Sequence, residues 1–202
     1  MRSLLGLCLL LLTTSAVADG LTFKQETLLK KGEVILLDRS SDNRRGKTFE
    51  VYALIPATLD QVYSVLSKFS EYAEFMPNLK RVVVERQDIK SAVLAYFLSL
   101  PAGMKKQYRL EMSYSRTADS ARLSWVMLPS PGVAPEDTIA ATEGYWDLTT
   151  HNGKVLARYY VYTDPGEVPF GFGWVVDYMS SKSILAVVAN TRDRVIQNSK
   201  QL

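Results

Sequence analysis

The chain has 202 residues, 47% of them hydrophobic and 22% charged, with a formal net charge of +3, the composition of one ordinary globular domain. The basic excess is small and spread along the sequence, and without a basic block it argues against a nucleic-acid ligand. One histidine and one cysteine are too few for a Cys/His zinc centre or a disulfide framework, a cysteine nucleophile is excluded because Cys8 lies in the segment read below as a cleaved signal, and His151 sits in a tight turn, a poor place for a Ser-His-Asp base.

Residues 1–18 read as a secretory signal. Arg2 supplies the positive start, Leu4 to Leu12 the apolar core, and Ala16-Val17-Ala18 an A-x-A cleavage pattern. The apolar run falls well short of the ~20 residues that span a bilayer as a helix. Cys8 lies inside this signal behind Leu7, not behind the small residue a lipoprotein site requires. Cleavage after Ala18 removes Arg2, takes the formal charge from +3 to +2, and leaves residues 19–202 as one domain. The expected address is periplasmic or secreted, and a cysteine-free product there is held by its core alone.

Residues 21–31 form a short amphipathic segment ending at Gly32. Two strand pieces follow, 32–39 and 47–55, joined by a polar turn containing Arg44 and Arg45. Thr58 with Gln61 three residues on is a capping-box pattern, and Leu59, Val62, Tyr63, Val65, Leu66 and Phe69 recur at helical spacing. A second short helix over 70–75 stops at Met76-Pro77.

From Leu79 the period changes to two. Strands are expected over 81–87, 92–100, 106–115, 122–128, 138–149 and 154–163, joined by short polar connections and one longer loop, 129–137, with three prolines. Asn152-Gly153 predicts a type I′ hairpin turn. Sequential hairpins make an antiparallel meander, and a sheet of this width must curl.

Alternation assigns inner faces. Arg109 and Glu111 outward send Tyr108, Leu110, Met112 and Tyr114 inward. Arg122 and Ser124 outward leave Leu123, Trp125 and Met127 inside, and Glu143 and Asp147 outward leave Gly144, Trp146 and Leu148 inside. The strand 154–163 reads two ways: Arg158 outward places Val155, Ala157, Tyr159 and Val161 inside, whereas Arg158 inward brings Tyr160 and Tyr162 with it.

After this strand come Pro165, Gly166, Pro169, Gly171 and Gly173, an elbow without regular structure, and then a long helix from Trp174. Projection at 100° per residue groups Trp174, Tyr178, Leu185, Val188, Ala189 and Ile196. Ser180, Ser183, Asn190 and Arg194 fall opposite, with Val176 and Val187 out of place among them. Arg192 lies near the middle of the apolar face, its guanidinium expected to snorkel off the sheet's end.

Several motifs in order resemble the START-like superfamily of polyketide cyclases and coenzyme Q-binding proteins (SRPBCC, Bet v 1-like). They are the helix-containing stretch over 53–84 with Tyr72 and Met76-Pro77, LSWVML over 123–128, GYWDLT over 144–149, and YYVYTDPGEVP over 159–169. The resemblance implies an α+β helix-grip fold: a curved antiparallel sheet wrapped around a long C-terminal helix, with two short helices after the first strand. It also implies an apolar tunnel, since members bind sterols, phospholipids, quinones, polyketides or plant hormones. Lys105-Lys106-Gln107-Tyr108 stands where START domains usually carry an Arg-Asp pair, and Lys68 precedes Phe69 where an aspartate is frequent. Both departures point toward the bacterial cyclase-like branch, and no catalytic residue carries over.

The expected function is a carrier or sensor of an apolar, lipid-like molecule in a cavity of at least ~300 Å3, more a binding protein than an enzyme. The wall is expected to include Tyr108, Met112, Tyr114, Trp125, Trp146, Tyr159, Tyr178 and Leu185, with Phe170, Phe172 and Trp174 in a gate. No metal site or cofactor is called for: Glu136 and Asp137 are adjacent acids that point apart, and no GxGxxG or P-loop pattern occurs. The partners expected are the small molecule and a transient membrane contact, with no nucleic acid and a monomeric chain. Two alternatives stand beside this: a cyclase or dehydratase using cavity tyrosines or a buried carboxylate, and an envelope module docking a membrane or protein.

Overall fold

The computed structural model describes residues 20–100, 103–166 and 181–200. Helix α1 (Phe23–Lys30) opens on Thr22, whose hydroxyl and Gln25 form a reciprocal capping box. Strands β1 (Ile35–Asp38) and β2 (Lys47–Ile55) follow, then helix α2 (Leu59–Ser67) and a single 3-10 segment, Phe69–Glu74. The Thr58–Gln61 capping box read from the sequence starts α2. The two short helices thus follow the second strand rather than the first, because the strand pieces on either side of the Arg44-Arg45 turn pair as separate antiparallel neighbours.

The meander then runs β3 (Leu79–Gln87), β4 (Ser91–Ser99), β5 (Lys105–Arg116), β6 (Ser120–Leu128), β7 (Ala141–His151) and β8 (Lys154–Asp164), before helix α3 (Ser183–Ser199). β7 begins three residues later than expected because Pro135–Asp137 forms a 3-10 turn of its own. Asn152 and Gly153 both take positive φ, 48° and 74°, as the type I′ hairpin demands.

Among the described residues eight strands pair antiparallel in the order β1-β2-β8-β7-β6-β5-β4-β3. From β2 the chain passes through α2 and the 3-10 segment to the opposite edge, β3, and meanders back to β8. The sheet curls strongly enough that Phe49 of β2 and Leu79 of β3 face one cavity.

α2 and α3 pack together, and α3 also rests on β2. The main core joins the inner face to these helices through Val62, Leu66 and Phe69 on one side and Val188 and Val195 on the other. A smaller cluster, Leu29, Ile35 and Tyr52, lies where α1 covers the outer face of β1 and β2. Beside it the buried Glu50 carboxylate is held by Arg39 (3.0 Å) and Arg158 (2.5 Å). Arg158 therefore points outward, and of the two readings of β8 the first is correct: Val155, Ala157, Tyr159 and Val161 are buried in the main core.

Candidate ligand cavity

A cavity of about 190 Å3 lies between the inner face of the sheet and α3. The strands contribute Tyr108, Leu110 and Met112 of β5, Trp125 of β6, Trp146 of β7, and Tyr159 and Val161 of β8. α3 contributes Ile184 and Val187, and the turn after the 3-10 segment contributes Met76, Pro77 and Asn78. The volume is below the ~300 Å3 expected of a drug-sized pocket, yet above the ~150 Å3 apolar cavity that is known to hold benzene.

Of the residues expected on the wall, Tyr108, Met112, Trp125, Trp146 and Tyr159 line this space. Tyr114 does not. Its ring packs against Phe69 at 6.1 Å, and its hydroxyl donates to the Asp88 and Ser91 carbonyl oxygens. Leu185 also misses the wall: it packs on the main core while its neighbours Ile184 and Val187 reach the cavity. Tyr178, Phe170, Phe172 and Trp174 lie outside the described residues.

The rotation of α3 explains the shift. Arg194 reaches Glu71 (3.0 Å) and Glu74 (2.5 Å), and Asn190 donates to the Phe75 carbonyl oxygen at 2.8 Å. The face assigned to solvent is thus occupied by the 3-10 segment, and Val187, which broke the sequence pattern, faces the cavity. Thr191 is fully buried because its hydroxyl returns to the Val187 carbonyl oxygen at 2.7 Å. Arg192 donates to the Gly32 carbonyl oxygen at 2.9 Å rather than hanging free.

Two tyrosines of the wall were not among the residues expected there. Tyr96 of β4 faces Tyr108 directly across the strand pair, and Tyr72 comes from the 3-10 segment. Burial pushes the hydroxyls of Tyr72, Tyr96, Tyr108 and Tyr159 up from their ordinary pKa. For Tyr96 the nearby Tyr72, Tyr108 and Tyr159 add to that effect, which marks the four as one cluster. Tyr72 donates to the Leu66 carbonyl oxygen. The hydroxyls of Tyr96, Tyr108 and Tyr159 find no hydrogen-bond partner among the described residues.

The cluster sits against an aromatic shelf, with the Tyr159 ring 5.6 Å from Trp125 and 4.5 Å from Trp146. Gly144 makes room for it, because a Cβ there would run into the Trp125 ring and the Tyr160 carbonyl oxygen. Among the described lining residues the charged one is Lys47, exposed at the rim. The carboxylates considered as cavity acids lie on the outer face: Glu111 is near Arg86, Glu143 pairs with Arg44 at 2.9 Å, and Asp147 with Arg122 at 2.6 Å. A hollow of about 310 Å3 also lies on that outer face, but Arg116, Arg122 and Arg158 on its wall are paired with Asp60, Asp147 and Glu50.

Residues 55–151 match the family model described as polyketide cyclase / dehydrase and lipid transport. Solved structures share this fold. A STAR-related lipid transfer protein fragment from Xanthomonas axonopodis aligns with TM-score 0.70 at 15% identity, covering 80% of this chain and 93% of that one. The chain has the START-like helix-grip fold. Human StAR-related lipid transfer protein 5 gives TM-score 0.70 at 16% identity, covering 83% of this chain and 84% of its own. The Zhui aromatase/cyclase from Streptomyces sp. R1128 gives 0.60 at 11% identity, covering 83% and 96%. No curated protein matches the sequence. The START-like resemblance carried by the four sequence motifs is therefore correct at the level of the fold.

Proposed function

We propose that this protein binds an apolar small molecule in the cavity under α3 and acts as its carrier or sensor outside the cytoplasm. One observation carries the reading: an interior space walled mostly by apolar and aromatic side chains, among them Leu110, Met112, Trp125, Trp146, Val161 and Val187, with few polar groups besides the tyrosine hydroxyls. Apolar burial at about 25 cal/mol per Å2 supplies the affinity. The volume suits one ring system or one acyl chain better than a two-chain lipid. The relatives' printed functions, lipid transfer and aromatase/cyclase, support an apolar occupant.

Signal removal after Ala18 and action as one domain belong to the same proposal. Among the described residues no helix is long and apolar enough to cross a membrane. Native mass spectrometry of the protein purified from its own host tests both parts. The expected species begins at Asp19 and carries a small apolar adduct that dissociates on collisional heating. A ligand-free mass that also fails to take up apolar probes defeats the binding reading, and an intact residue 1 defeats the address.

A further inference from the structure

We propose that the cavity selects an uncharged molecule with a flat, ring-sized apolar body and a carbonyl-type oxygen, the oxygen lying among the hydroxyls of Tyr96, Tyr108 and Tyr159. This rests on the apolar-ligand reading and narrows it to one chemistry.

The first observation is the set of unused donors. A phenol hydroxyl in an apolar wall ordinarily finds a partner, and these three, which are not among the fully enclosed unpaired atoms, line the cavity without a hydrogen bond to the described residues. A carbonyl oxygen among them has two lone pairs, enough to accept from two of the three hydroxyls at once. Thr142, a further hydroxyl on the wall, is already spent on the Tyr162 carbonyl oxygen at 2.8 Å.

The second observation is the shape of the wall. Tyr96 and Tyr108 stack 14° from parallel with centroids 5.4 Å apart, and Trp125 lies 30° from Tyr159. A wall made largely of aromatic side chains favours a guest that is itself an apolar ring.

The third observation is the placement of charge. Lys47 stands at the exposed rim, and Lys106, buried on the same face of β5, gives its ammonium to the Thr138 carbonyl oxygen at 2.7 Å. A carboxylate among the tyrosines would be desolvated without a cation beside it, and an ammonium would meet donors only. Phenols with an ordinary pKa near 10 are protonated at neutral pH, so Tyr96, Tyr108 and Tyr159 are donors there, and burial shifts them further in that direction.

Three near-isosteric probes separate the possibilities: 2-acetylnaphthalene, 2-isopropylnaphthalene and 2-naphthoate, titrated calorimetrically into residues 19–202 at pH 7. The ketone is expected to bind about tenfold tighter than the hydrocarbon, and the carboxylate weakest. Tyr108→Phe and Tyr159→Phe should each lower ketone affinity several-fold more than hydrocarbon affinity, with thermal midpoints confirming the fold. Equal affinity for ketone and hydrocarbon, or naphthoate matching the ketone, overturns the neutral-acceptor proposal and leaves the apolar cavity standing. Failure of all three to bind overturns both.

Discussion

Tyr96 and Tyr108 stand directly opposite each other on β4 and β5, stacked with centroids 5.4 Å apart. Cross-strand aromatic pairs stabilise a sheet by a few tenths to about 1 kcal/mol, and here the pair also points two hydroxyls into the same cavity. The rings and the hydroxyls therefore make opposite contributions to the unliganded fold.

Tyr108→Phe separates them. The variant keeps the stacked ring and removes a buried hydroxyl without a described partner, so the ligand-free protein should hold its stability or gain up to about 1 kcal/mol. Urea denaturation checks this, and a loss above ~1.5 kcal/mol would mean that the hydroxyl is already bonded.

Glu50 is the reverse case, a buried acid shared by two guanidiniums. Glu50→Ala should cost about 3 kcal/mol, because Arg39 and Arg158 lose their common partner beside the Tyr52 cluster. Arg158→Ala, which leaves Arg39 in place and removes a half-exposed side chain, should cost about 1 kcal/mol. Equal losses in chemical denaturation would contradict the sharing.

Gly144 has no space for a methyl group against Trp125 and the Tyr160 carbonyl. Gly144→Ala should destabilise by about 2 kcal/mol and shift the tryptophan emission as Trp125 is displaced into the cavity. An unchanged spectrum with full stability would show that the shelf is looser than described.

The buried tyrosines set the alkaline limit. Their folded-state pKa lies above the unfolded value near 10, so the unfolded chain releases protons first, and their stabilisation is complete below pH ~10 and lost as pH rises beyond it. Tyr52, pushed up to about 12 by burial and then by Glu50, acts in the same direction. The part of the phenolate absorbance that belongs to these buried tyrosines should appear together with unfolding above pH 10.

The residues show what the sequence made legible and what it did not. Charged residues fixed the phase of β5, β6 and β7, so Tyr108, Met112, Trp125 and Trp146 were placed on the inner face by alternation alone. Tyr96 stayed hidden because SAVLAYFLS carries no charge to mark an outer face. Tyr114 shares its face with Tyr108, but alternation gives the side of a strand and not the position along a curved sheet, and the Phe69 end is filled. The phase of α3 was misread for a third reason: Arg194 and Asn190 look like solvent residues, yet they dock on Glu71, Glu74 and the Phe75 carbonyl. Polar contacts between helices are invisible to a hydrophobic projection.

The most direct measurement is a crystal structure of residues 19–202 purified from the native host without detergent. The expected result is continuous density between the Trp125–Tyr159 shelf and Val187, ending within hydrogen-bond distance of Tyr96, Tyr108 or Tyr159. Side chains collapsed into mutual contact, with those hydroxyls bonded to protein atoms and no space for a ring, would contradict the binding role.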